Sequence, residues 1–142
     1  MDGRVVAVTG GHGVLGRAVV QAALAAQGIA AEVGAVHVSP PRSRRRAVLS
    51  GRRTKAGALV GFHQRASEVI VDVAECLVVR PAILAALPDL RRLVILGGSR
   101  SAELSLVVTE PAAGLDVAVR GGKPMTPALL RQLAELAGGA GW

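Results

Sequence analysis

The stretch VVAVTGGHGVLGRAVV, residues 5–20, places four glycines within seven positions, between an apolar run and the start of an amphipathic pattern. Gly11, Gly13 and Gly16 spell GxGxxG, while Thr9, Gly10, Gly13 and Gly16 spell TGxxGxxG. Glycine permits a tight strand-to-helix turn, lets the backbone approach a pyrophosphate, and lets the helix pack closely on the strand. The free amides and the positive end of a helix starting near Val14 would then attract phosphates. Because the motif follows the strand-like RVVAVT (4–9) directly and precedes a helical pattern directly, its context suits a dinucleotide site. No Lys-Ser or Lys-Thr follows the glycines, which removes a Walker-type NTPase. The plain alternative is a tight turn that binds something else.

Downstream, short apolar runs alternate with helical spacing. Leu15, Ala18, Val19, Ala22 and Ala26 predict a helix from Val14 to about Gln27, with Gly28 placed to stop it. AEVGAVHVS (31–39) reads as a strand ended by Pro40-Pro41, and RSRRRAVLSGRRTK (42–55) as a loop carrying a short helix. Strands are expected at 57–62 and within 68–79, and a helix from Pro81 to about Leu87. RRLVILGG (91–98) reads as a buried strand ending at Gly97 and Gly98. Two more strands, 104–108 and 115–119, precede a last helix from about Thr126 to Ala137, whose Leu129, Leu130, Leu133 and Leu136 share a face. The alternation predicts an α/β fold: a Rossmann-like three-layer sandwich with a mainly parallel sheet, as a single domain over 1–142.

The net charge of +7 resides in one place. Arg42, Arg44, Arg45, Arg46, Arg52, Arg53 and Lys55 fall between positions 42 and 55 with no acidic residue among them, and the remaining basic and acidic residues balance. In Rossmann-type sites an acidic residue after the second strand selects NAD through the ribose 2′-OH. Here that position reads VHVSPPRSRRR, so Ser39, Arg42, Arg44 and Arg45 are available for a 2′-phosphate and NADP(H) is the expected cofactor. A solvated basic loop is the bland reading. Since seven cations exceed what one phosphate needs, a nucleic-acid partner competes, although one Phe, one Trp and no Tyr leave no stacking platform for single strands.

These residues carry a resemblance. VTGGHGVLGRAVV resembles the first turn of the short-chain dehydrogenase/reductase superfamily, most of all its atypical, NmrA-like NAD(P)H-binding branch, and PDLRRLVILGGSRSAEL (88–104) is similar to that branch's helix and strand ending beside the nicotinamide. The resemblance covers about residues 4–46 and 85–104 and implies a shortened NADP(H)-binding oxidoreductase. Its cofactor-binding residues would be Thr9, Gly10, Gly11, His12, Gly13, Val14, Leu15, Gly16, Ser39, Arg42, Arg44, Gly97 and Gly98. The chain departs from the family at its centre: without tyrosine there is no YxxxK acid, so no catalytic residue is assigned. Hydride transfer to a small-molecule acceptor would need protonation from His, water or another group. The alternatives are a non-catalytic dinucleotide sensor, a basic α/β module binding nucleic acid, and a small structural or homo-oligomer-forming protein.

Other features are quieter. The lone Cys76 reads as a small core residue, and His12, His37 and His63 have no metal-ligand spacing, so no metal is expected. Ser99 and Ser101 read as loop caps, and Lys123 as part of an ordinary loop before an N-cap at Thr126. No run of eighteen apolar residues occurs and Asp2 and Arg4 argue against a signal peptide, so a cytoplasmic protein without a membrane partner is expected.

Overall fold

A computed structural model describes residues 13–30 and 39–142. The chain divides into two compact units, Met1–Ser39 and Pro40–Trp142.

In the first unit, helix α1 spans Gly13–Ala26. It ends as the glycine at 28 predicts: Gly28 is left-handed at φ 68°, its N–H donates to Ala25 O at 2.9 Å, and the Ile29 N–H donates to Leu24 O at 3.0 Å. This paired closure satisfies carbonyls that a helix terminus otherwise leaves without partners.

The second unit is built on a sheet. Its strands are β1 (Arg46–Arg53), β2 (Ala58–His63), β3 (Ile70–Asp72), β4 (Leu104–Thr109) and β5 (Asp116–Arg120). They lie in the order β3-β2-β1-β4-β5, and every neighbouring pair is antiparallel. Among the described residues, parallel pairing is confined to one isolated bridge between Arg44 and Val79. The Rossmann-like sandwich with a mainly parallel sheet is therefore incorrect. Connection length is the reason. A parallel pair needs a crossover of about a dozen residues or more, whereas β1 meets β2 across Thr54–Gly57, closed by the Thr54 N–H on Gly57 O at 2.8 Å.

Two segments change type. RAVLSGRR, expected within a basic loop, is the central strand β1, because Ala47, Leu49 and Gly51 alternate inward while Arg46, Val48, Ser50 and Arg52 point the other way. RRLVILGG, expected as a buried strand, belongs to helix α3 (Leu87–Gly97), which follows the short helix α2 (Pro81–Ala85). Its buried residues Leu87, Leu90, Leu93 and Val94 recur at helical spacing, and Ile95, inside the apolar run, is exposed. The last helix, α4 (Pro127–Ala140), starts as expected at Thr126, whose Oγ1 accepts the Leu129 N–H at 3.2 Å.

Helix α3 packs against β1 and β2, and α4 packs against α3. Leu49, Val60, Ile83, Leu90, Val94, Leu104, Leu106 and Val108 form the interior, each at most 2% exposed. At about 1.5–3 kcal/mol per fully buried large aliphatic side chain, this layer is the main source of stability in the unit. Gly51 allows the close approach of the helix, since a Cβ there would stand 2.5 Å from Val94 Cγ2. Cys76, half-buried, packs against the same cluster. Among the described residues no helix is long and apolar enough to cross a membrane.

Candidate nucleic-acid interface

The pleat divides β1 between two tasks. Residues opposite one another in a sheet share a face, so Arg46 with Thr109, Val48 with Val107 and Ser50 with Ser105 lie on the face away from α3. Arg120, opposite Ser105, extends that face onto β5. Near its far end Arg52 hydrogen-bonds Glu103, which also meets His63 Nε2 at 2.9 Å. With its charge offset by Glu103, Arg52 offers little attraction to an anion.

The near end is different. Residues 42–45 form a strap pinned by backbone hydrogen bonds: the Arg42 N–H donates to Leu77 O at 2.8 Å, the Arg44 N–H to Val78 O at 3.0 Å, and the Arg80 N–H to Arg44 O at 3.0 Å. Arg42 takes up a left-handed φ of 55°, a strained conformation for a side-chain-bearing residue, held by this pairing. On the other side the Glu110 N–H donates to Arg45 O at 2.8 Å and Arg45 Nε donates to Glu110 O at 2.9 Å. Arg80 Nε contacts Glu110 Oε2 at 2.9 Å. That hydrogen bond, helped by the charges of Arg80 and Arg45 and opposed by burial, holds the Glu110 carboxyl below its ordinary range. Arg80 is raised in turn.

The strap's cations are unequal. Arg42 faces Glu75 only at 3.8 Å, with both side chains more than half exposed, and such pairs contribute little. Arg45 is occupied by a carbonyl. Arg44 and Arg46 have neither a carboxylate nor a side-chain hydrogen-bond partner among the described residues. Together with Ala47, Val48, Phe62 and Val79 they line a cleft of about 570 Å³. The combination of unpaired guanidinium groups and an adjoining apolar wall suits a polyanion whose backbone carries the charge.

Several residues singled out in the sequence fall elsewhere. Thr9, Gly10, Gly11 and His12, along with His37, lie outside the described residues. Gly13, Val14, Leu15 and Gly16 form the first turn of α1. Ser39 precedes the strap without regular structure, and Arg42 and Arg44 are in it. Gly97 ends α3 and Gly98 caps it, its N–H donating to Val94 O at 2.9 Å, so this pair closes a helix rather than a strand. Gly98 abuts Leu104, which pairs with Gly51, whereas Arg44 precedes Arg46, which pairs with Thr109. The structure thus sets Arg44 and Gly98 at opposite ends of β1. Ser99 Oγ accepts the Ala102 N–H at 3.1 Å, and Lys123 Nζ donates to Leu96 O at 2.9 Å, so Ser99 caps a loop and Lys123 the C-terminus of α3. Among the described residues no three potential metal ligands gather. Phe62 and Val79 were not legible as site residues. The two-residue period of Arg46, Val48, Ser50 and Arg52 was the signal for Arg46.

No family model matches the chain. The chain is 40% identical over 105 residues to a protein of Brucella suis named an uncharacterized RNA methyltransferase, covering 74% of this chain and 25% of that protein. A Caulobacter vibrioides protein of the same description is 37% identical over 125 residues, covering 83% of this chain and 30% of its own length. A 23S rRNA (uracil(1939)-C(5))-methyltransferase of Thiobacillus denitrificans is 47% identical over 53 residues, 36% of this chain and 12% of that enzyme. The chain spans about a quarter of the length of the first of these relatives. A match of 105 residues exceeds the 39 of the first unit, so most of it falls on Pro40–Trp142.

These relatives overturn the resemblance to NmrA-like short-chain reductases, and with it the oxidoreductase reading and the NADP(H) cofactor. The sheet agrees physically. Dinucleotides bind beyond the carboxyl ends of parallel strands at a switch in strand order, and an antiparallel sheet offers no such crevice. The chain is similar, over most of its second unit, to part of proteins named RNA methyltransferases.

Proposed function

We propose that the unit Pro40–Trp142 is an RNA-contacting module of an RNA-methyltransferase-like protein. The observation that carries this reading is the 40% identity over 105 residues to a relative bearing that name. The cleft supports it from physics: Arg44 and Arg46 stand without carboxylate partners at the edge of a sheet face that no helix of the unit covers. Phosphate neutralisation by such groups yields affinity independent of sequence.

Methyl transfer to RNA draws on S-adenosylmethionine, and the unit Pro40–Trp142 offers no parallel-sheet crevice for that nucleoside. Its sheet is antiparallel, and its glycines at 97 and 98 close a helix rather than open one. The module's part is to bind and orient RNA, and no chemical step is assigned to these residues.

Fluorescence anisotropy with a labelled RNA hairpin tests the reading. The full chain should bind with affinity that falls as salt rises, and Arg44→Gln with Arg46→Gln should lower the logarithmic salt slope by roughly 1–2. Binding that ignores salt, or a double variant indistinguishable from the parent, would overturn it.

A further inference from the structure

We infer that the cleft beside the start of β1 is a subsite for one unpaired nucleotide, whose base meets Phe62 while its flanking phosphates meet Arg44 and Arg46. The inference rests on the RNA-binding reading and specifies which RNA feature the module takes. Phe62 is the chain's single phenylalanine, and with Trp142 it makes up the whole aromatic complement. It is half-buried, packed against the core and lining the cleft together with Val48, Ala47 and Val79. One aromatic is too little for a platform that tracks a strand, but it is what a single base requires.

The cations are placed for the rest of the nucleotide. Two guanidinium groups of like charge share this lining, and among the described residues no carboxylate offsets either of them. An anion between them relieves that repulsion. Arg44 is presented by backbone hydrogen bonds on both its N–H and its carbonyl, so less of its freedom remains to be lost on binding. At about 570 Å³ the cleft falls within the range of small-ligand sites, roughly 300–1,000 Å³. A fully paired duplex keeps its bases stacked and can use only the arginines. An extruded base can use the apolar wall as well.

The test compares two fluorescein-labelled, blunt-ended RNA duplexes, identical except for one bulged nucleotide, bound to the full chain at fixed ionic strength. The bulged duplex should bind more tightly. Phe62→Leu should weaken that complex about 5–100-fold and bring it toward the affinity of the paired duplex, and Phe62→Tyr, which keeps a ring, should retain the preference. Arg44→Gln with Arg46→Gln should weaken both complexes. Thermal unfolding of the Leu variant checks that the sheet persists, and the Tyr variant keeps the assay decisive if it does not. Equal binding of the two duplexes by the parent chain, or loss of ring dependence in the Tyr–Leu comparison, would overturn the subsite and leave the RNA-binding reading standing. Salt-independent or absent binding of both duplexes would overturn both.

Discussion

One residue along β1 separates two environments: Leu49 is 2% exposed and Val48 is 55% exposed. The face beneath α3 is continuous hydrocarbon from Leu104, Leu106 and Val108 through Leu49 to Val60, closed by Leu90 and Val94. The opposite face mixes Val48, Val107, Ser50 and Ser105 with arginines at its margins. Stability therefore resides on the face of Leu49, while the proposed cleft lies at the margin of the sheet, where Arg46 and Val48 of the open face meet Phe62, which packs against the core. Substitutions on the two faces should separate folding from binding.

The largest effect is expected in the interior. Leu106→Ala should destabilise the unit by about 2–5 kcal/mol, read as a lower urea midpoint, because the side chain is wholly buried and the sheet cannot close over the gap. A loss under 1 kcal/mol would show that the two faces are less distinct than their exposures indicate. Gly51→Ala comes next: its Cβ would crowd Val94, and overpacking of this kind costs roughly 1–3 kcal/mol. A neutral result would mean that α3 rides further from the sheet.

The Glu110–Arg80 contact links the strap to the end of β4 and should show itself through pH. Glu110 is held below its ordinary value of 4.5 when folded, so between that value and its folded value the unfolded chain binds more protons. Its contribution is present above that window and is lost as pH falls through it. Glu110→Gln should lower stability at neutral pH and converge with the parent below that window, which flattens the acid side of the stability profile, and an unchanged acid limb would discount the contact. The smallest effect belongs to the open face: Val48→Ala should alter stability by at most about 0.5 kcal/mol by the same urea assay. A larger loss would mean that something covers this face in solution.

Much of the local structure was legible. Gly28 ended α1 and Thr126 opened α4 because both act through near neighbours, a left-handed turn in one case and a hydroxyl on an N–H three residues on in the other. The strands at β4 and β5 announced themselves by their valines, and β2, with Val60 its one β-branched residue, by a short apolar run. Two segments misled for opposite reasons. Arginines at 46, 52 and 53 masked a strand whose alternation was present all along, and the contiguous Leu93–Leu96 run masked a helix whose period begins at Leu87. Of the residues lining the proposed site, Arg44 was singled out from its charge, but for a different ligand. Arg46, Phe62 and Val79 join Arg44 only because β1, β2 and the 77–80 segment converge.

By itself the sequence determined where helices could stop, which runs could pair as strands, and that the chain's whole excess of positive charge lies within one fourteen-residue segment. Strand direction, the face each arginine takes, and the meeting of Arg44 with Phe62 were decided only by the tertiary structure. Periodicity along the chain sets which residues share a face. Which strands lie side by side, and in which sense, depends on connections and packing between residues distant in sequence.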